Sequence, residues 1–169
     1  MNHVILQVAA TLDGYIARKD DRVDFLDQID DSFLPYFNAF IDSIETIIMG
    51  RKTYEVMLTL GDIPYKDKTI YVLSSKNPLV LDTNVTFTNE TINSLLKRIK
   101  GNIWLFGGAK TIQSFLQEDL VDELQLFIVP KMIGQGIPLF LDYQNNSNWN
   151  LVSSTRFNDN LFVIYKKIG

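Results

Sequence analysis

The chain contains no cysteine and a single histidine, His3. The first absence excludes disulfides, thiol nucleophiles and thiolate metal sites, and it fits a reducing cytoplasm. The second leaves too few ligands for a catalytic zinc site, so no metal is expected, and it removes the base of a Ser-His-Asp triad. No G-x-S-x-G elbow, G-x-G-x-x-G fingerprint or Walker P-loop occurs. Basic charge is also short. Sixteen Lys and Arg stand against twenty Asp and Glu, for a net charge of −4, and a nucleic-acid footprint is not expected. The opening run "MNHVILQVAATLDGYIA" has no basic n-region and breaks at Thr11 and Asp13. Neither a signal peptide nor a membrane span is expected, and the chain is expected in the cytoplasm.

What is present reads as one globular domain over residues 1–169, with 46% hydrophobic and 21% charged residues. "HVILQVAAT" is a continuous apolar run, the pattern of a strand buried on both faces, and His3 at its head reads as an edge-strand side chain. A charged loop, "LDGYIARKDDRVD", follows. "DDSFLPYFNAFIDSI" carries a helical stripe of Phe33, Phe37, Phe40, Ile41 and Ile44, with Asp30, Asp31 or Ser32 as its cap. "TIIM", "TIYVLSS", "NVTFT", "NIWLF" and "DELQLFIVP" read as strands. "RKTYEVML", "TINSLLKRIK" and "AKTIQSFLQ" read as helices, the second stopped by Gly101. "GQGIP" reads as a loop. "LVSSTRFNDNLFVIYKKI" reads as a hairpin turning at Asn158–Asn160. Strands alternating with helices predict an α/β fold whose mostly parallel sheet ends in an antiparallel edge hairpin.

Ligands of open α/β sheets bind beyond the C-terminal ends of the strands. Three such ends carry anion-binding chemistry: Met49 into Gly50-Arg51-Lys52-Thr53, Leu73 into Ser74-Ser75-Lys76, and Phe106 into Gly107-Gly108-Ala109-Lys110-Thr111. Two of them place cations in the first turn of a helix, against the local dipole, a mismatch that a bound phosphate reverses. The plainer reading pairs Arg51 with Glu55 at i,i+4 and leaves Lys52 and Lys110 in water. Among the carboxylates, Asp13 lies just past the first strand, as a turn residue or a catalytic acid. Asp31 is a second candidate acid, or a helix cap.

The ordered set "AATLDGYIA", "IIMGRKTYE", "VLSS", "IWLFGGAKTIQSFL" and "VDELQLFIVPKMIGQGIPLF" resembles the dihydrofolate reductase-like superfamily. It is most similar to the reductase domain of the bifunctional riboflavin-biosynthesis deaminase–reductase and its stand-alone relatives. The resemblance implies a three-layer α/β/α fold, NADPH as cofactor, hydride transfer to a pyrimidine- or pterin-type small molecule, and a homodimer. It implies that Gly50, Arg51, Lys52 and Thr53 hold the pyrophosphate from one side, and Gly107, Gly108, Ala109, Lys110 and Thr111 from the other. Leu73, Ser74, Ser75 and Lys76, with help from Arg51 or Lys52, would face the 2′-phosphate, and Ala9 and Ile16 would flank the nicotinamide. Dihydrofolate reductases carry a carboxylate near the start of the first long helix. The matching region here, Ser32 to Leu34, has no acid, and Asp31 is the nearest one. The resemblance therefore favours a reductase of the riboflavin type, with folate reduction or a catalytically silent nucleotide-binding module as alternatives.

Overall fold

A computed structural model describes residues 1–76 and 82–169. The chain runs β1 (Asn2–Thr11), β2 (Tyr15–Ala17), two 3-10 turns (Asp24–Gln28 and Asp31–Phe33), α1 (Leu34–Asp42), β3 (Thr46–Gly50), α2 (Arg51–Thr59), β4 (Thr69–Leu73) and β5 (Val85–Thr88). It continues through α3 (Ile92–Arg98), β6 (Gly101–Gly107), α4 (Ala109–Gln117), β7 (Glu123–Val129), β8 (Ile137–Pro138), β9 (Trp149–Phe157) and β10 (Asn160–Lys167). Eight strands form one sheet in the order β5-β4-β3-β6-β1-β7-β10-β9. All pairings from β5 to β7 are parallel; β10 pairs antiparallel with β7 and with β9. This is the dihydrofolate reductase-like α/β fold.

Strand side chains alternate between faces, so the sheet sorts its apolar residues into two layers. Val4, Leu6, Ile48, Ile103 and Leu105 face one way, against Leu95 and Leu96 of α3 and Ile112 and Phe115 of α4. Ile5, Ile47, Met49, Ile70 and Trp104 face the other way, against Phe40 of α1 and Tyr54 of α2. The central strands need no polar face, which is why β1 and β3 read as unbroken apolar runs. Full burial of a side chain such as Leu6 or Ile48 contributes about 1.5–3 kcal/mol. A third cluster closes the hairpin onto the sheet: the Phe33 ring lies 4.4 Å from that of Phe127 and 5.1 Å from that of Phe162.

Some local expectations change. His3 lies on an interior strand rather than an edge, because β1 pairs with both β6 and β7. The expected helix over "DDSFLPYFNAFIDSI" splits into the second 3-10 turn and α1. Pro35 occupies one of the first α-helical positions, where its missing N–H costs nothing. Asp30, not Asp31, caps the 3-10 turn, accepting from the Ser32 amide at 2.6 Å. Gly101 does not cap α3. That helix ends at Arg98 with Ile99 extended, and Gly101 opens β6 at φ +81°. The loops "LDGYIARKDDRVD" and "GQGIP" each contribute a short strand, β2 and β8, which pair with each other. Ser74 and Ser75 lie past the end of β4.

Candidate functional site

The chain moves leftward through the sheet from β1 to β3 and β4 by way of α1 and α2, and rightward from β5 and β6 by way of α3 and α4. Right-handed crossovers put these two sets of helices on opposite faces. β3 and β6 are therefore neighbours whose following helices leave in opposite directions. That reversal is the topological switch point where open α/β sheets leave a crevice.

Both helices at this point begin without a side-chain cap. Gly50 is the N-cap of α2 and Gly108 that of α4, each extended and neither offering a side-chain acceptor. α3 shows the contrast: Thr91 caps it by accepting from the Ser94 amide, and Lys97 and Arg98 occupy its last turn, where the dipole favours cations. α2 and α4 reverse this order, with Arg51 and Lys52, and Lys110, in their first turns. The leading N–H groups of an uncapped helix have no intrahelical partner and point at whatever lies beyond the end.

The two corners adjoin. A Cβ built on Gly50 would stand 2.7 Å from Thr111 Oγ1 and 3.9 Å from Gly108 N. A Cβ built on Gly108 would stand 3.1 Å from Thr53 Oγ1. Each threonine thus lies against the glycine of the other helix, and both hydroxyls converge on the gap. The Gly107–Gly108 peptide is cis. A Cβ at Gly50 would force the Thr111 side chain to move and one at Gly108 would crowd Thr53, while glycine at both N-caps lets a ligand reach the backbone.

Leu73 flanks Gly50 across the β3–β4 pairing, which brings Ser74, Ser75 and Lys76 to the same rim. The Ser74 hydroxyl is engaged locally: it accepts from the Lys76 amide and donates to the Lys76 carbonyl, both at 3.0 Å. Ser75 and Lys76 are exposed, as are Arg51, Lys52 and Lys110. Arg51 donates to Glu55 Oε1 at 3.0 Å, and Lys52 lies 3.3 Å from Asp21. Exposed pairs of this kind contribute little to stability and yield easily to a stronger anion. Ala9 is half-buried opposite Phe127 and packs with the phenylalanine cluster, whereas Ile16 packs against the α3–α4 core on the other face.

The two carboxylates of the sequence reading do not meet. Asp13 accepts from the Thr11 hydroxyl at 2.5 Å and from the amides of Ile133 at 3.1 Å and Gly134 at 2.8 Å. The Thr11 hydroxyl foremost, and those amides with it, hold its carboxyl below the ordinary value of 3.8. That is the geometry of a clasp joining the end of β1 to the segment after β7. Asp31 is exposed at the start of its 3-10 turn. The neighbouring Asp30 is held low by the Ser32 amide and hydroxyl, and it also accepts from Asn158 at the hairpin turn. Among the described residues no group of three or more His, Asp or Glu side chains is placed to hold a metal ion.

The clasp partners Ile133 and Gly134, and Asp21 on Lys52, were not anticipated from the sequence. A signal for the approach of β2 to β8 was present in Gly136, which comes so near Ala17 that a Cβ would stand 2.4 Å from its carbonyl oxygen. Nothing local in "RKDDR" marks Asp21 for a lysine thirty-one residues later.

The model of the RibD C-terminal domain family matches residues 2–163. The chain belongs to that family. It is 35% identical over 158 residues to the uncharacterized protein YwjB of Bacillus subtilis (strain 168), covering 90% of this chain and 91% of that one. A putative riboflavin biosynthesis protein from Shewanella sp. PV-4 superposes with a TM-score of 0.86 at 26% identity, over 99% of both chains. A dihydrofolate reductase from Enterococcus faecalis, complexed with NADP(H) and RAB-propyl, superposes with a TM-score of 0.72 over 99% of this chain and 97% of that one. At 17% identity that last likeness carries the fold alone.

Proposed function

We infer that residues 1–169 act as one cytoplasmic, homodimeric NADPH-dependent reductase domain that passes a hydride to a small nitrogen heterocycle. The activity it is most like is that of 5-amino-6-(5-phosphoribosylamino)uracil reductase. Membership of the RibD C-terminal domain family and the likeness to a putative riboflavin biosynthesis protein support a reductase role in riboflavin biosynthesis. The observation that carries the cofactor reading is the joint corner. Two uncapped helix N-termini, each opened by a glycine, share one gap with Thr53 and Thr111 crossed between them.

NADPH, when bound, supplies the hydride and the electron pair. The residues of this chain bind and orient. The amides that open α2 and α4 and the two threonine hydroxyls hold the pyrophosphate. Lys52 and Lys110 neutralise it, Lys52 leaving Asp21 to do so, while the Arg51 side chain leaves Glu55 and turns to the 2′-phosphate. Ser75 and Lys76 face the 2′-phosphate. Ala9 and Ile16 border the nicotinamide end. Asp13 keeps its proton off at neutral pH, so its part is to fix the segment after β1 rather than to protonate substrate.

A silent nucleotide-binding module is the second reading, favoured by one observation: of the candidate acids, Asp13 is consumed by hydrogen bonds to the amides of Ile133 and Gly134, and Asp31 stands exposed at the start of its 3-10 turn. The two readings part on one experiment. Purified protein is titrated with NADPH and NADH by fluorescence, then supplied with reducible pyrimidines and pterins while the nicotinamide absorbance is followed. Steady NADPH oxidation supports the reductase. Tight binding without turnover on either class leaves the silent module, and absence of NADPH binding at micromolar concentrations removes both.

A further inference from the structure

We propose that Asp21 is a built-in competitor at the phosphate corner: its carboxylate occupies Lys52 in the free protein and so sets how tightly the α2 end binds a dinucleotide. The inference rests on the reductase reading of that corner and gives a role to a residue outside it. Lys52 stands in the first turn of α2, where the helix dipole favours an anion beside it. Asp21 supplies one, with Oδ2 3.3 Å from Lys52 Nζ and side chains 29% and 70% accessible. A carboxylate and a phosphate are the same kind of partner for an ammonium. A carboxylate at that distance also repels a second anion brought to the same lysine. The pair is exposed and therefore weak, so Asp21 moderates binding and does not block it.

The fold presents this carboxylate deliberately. The turn after β2 closes on itself: the Arg18 amide donates to the Arg22 carbonyl at 2.8 Å, and the Asp21 amide donates to the Arg18 carbonyl at 3.0 Å. Asp21 sits there at φ +67°, in the left-handed region that few residues with a side chain adopt. The neighbouring charges are satisfied within the turn. Arg18 donates to Asp24 from Nε at 2.5 Å and from Nη2 at 3.0 Å, and Arg22 donates to Asp20 at 2.7 Å. Asp21 alone reaches outward, and among the described residues its contact with Lys52 is the one ion pair that joins this turn to α2. Glu55 differs, because it meets Arg51 along a single helix at i,i+4 and ties no second element to the corner.

The test is a fluorescence titration with NADPH and NADH at about 0.15 M salt, on wild type, Asp21→Asn, Lys52→Ala and the double variant. Asp119→Asn is the matched control, since Asp119 also has a positive φ, +59°, and a lysine partner, Lys167 at 2.8 Å, away from the corner. Asparagine accepts the left-handed region, so both substitutions keep their turns. Asp21→Asn is expected to bind both dinucleotides about two- to fivefold tighter than wild type, a gap that narrows at about 0.5 M salt. In the Lys52→Ala background the same substitution changes affinity by less than about 1.5-fold, as does Asp119→Asn in wild type. Unchanged or weaker binding by Asp21→Asn overturns the proposal alone. So does equal tightening in the Lys52→Ala background or in Asp119→Asn, which would be a general effect of charge. Tightening confined to NADPH places Lys52 on the 2′-phosphate and overturns the competition for pyrophosphate. Absence of dinucleotide binding in wild type and Asp21→Asn alike removes the cofactor reading, and the proposal with it.

Discussion

Gly50→Ala tests whether the α2 and α4 corners share one ligand. Gly50 is extended at φ −78° and ψ 159°, so alanine meets no backbone objection. The new methyl carbon stands 2.7 Å from Thr111 Oγ1, where an unstrained contact needs about 3.5 Å. The threonine hydroxyl must therefore rotate away by most of an ångström, and overpacking of this kind costs about 1–3 kcal/mol of stability. The larger effect falls on the ligand. A hydrogen bond to a charged group contributes about 1.5–3 kcal/mol, so loss of the Thr111 donor raises the Kd for NADPH about tenfold to a hundredfold. NADH suffers the same loss, because both dinucleotides carry the pyrophosphate. In a Thr111→Ala background the hydroxyl is already gone, and adding Gly50→Ala costs much less than it does alone. Fluorescence titration with both dinucleotides, beside thermal melting of all four proteins, completes the cycle. A folded Gly50→Ala protein that binds NADPH within about twofold of wild type refutes the shared corner, as does strict additivity with Thr111→Ala.

Arg51→Ala is expected to weaken NADPH about tenfold and NADH by less than about threefold, since a 2′-phosphate contact is charge-assisted; equal losses in paired titrations reject that role. Asp13→Asn bears on pH. A carboxyl held below 3.8 stabilises the fold above that ordinary value, and this contribution disappears as pH falls through the lower folded value. Melting temperature followed from about pH 6 to pH 3 should therefore fall less steeply in the variant than in wild type, from a lower start. A variant with the wild-type acid profile would mean that the clasp does not form. Phe33→Ala removes a buried ring that touches Phe127, Phe157 and Phe162, and should cost about 3–5 kcal/mol, about 6–20 °C in Tm. Tyr36→Ala, on an exposed ring one turn on, should change Tm far less, and equal losses would contradict the placement of the cluster.

The sheet was legible because its central strands are apolar on both faces and its helices are amphipathic. "HVILQVAAT", "TIIM" and "NIWLF" carry that signal without help from neighbours. The corner residues were legible because a glycine followed by cations at the start of a helix is a local contradiction, and local contradictions survive in sequence. What joined the two corners was not legible. The contact of Thr111 with Gly50 spans sixty-one residues and depends on β3 lying beside β6, an order that connection lengths do not fix. β2 and β8 were missed for a similar reason: each is two or three residues long, and each becomes a strand only through the other. Asp13 looked as much an acid as a turn residue because its partners, the amides of Ile133 and Gly134, lie 120 and 121 positions away.

The most direct test of the shared phosphate corner is a heteronuclear NMR titration of the protein with NADPH, reading the backbone amides of Arg51, Lys52, Thr53, Ala109, Lys110 and Thr111. The structure predicts that both sets shift together and saturate along one binding curve, with a single Kd. Shifts at one helix only, or two curves with different midpoints, would contradict the claim that α2 and α4 open onto the same ligand.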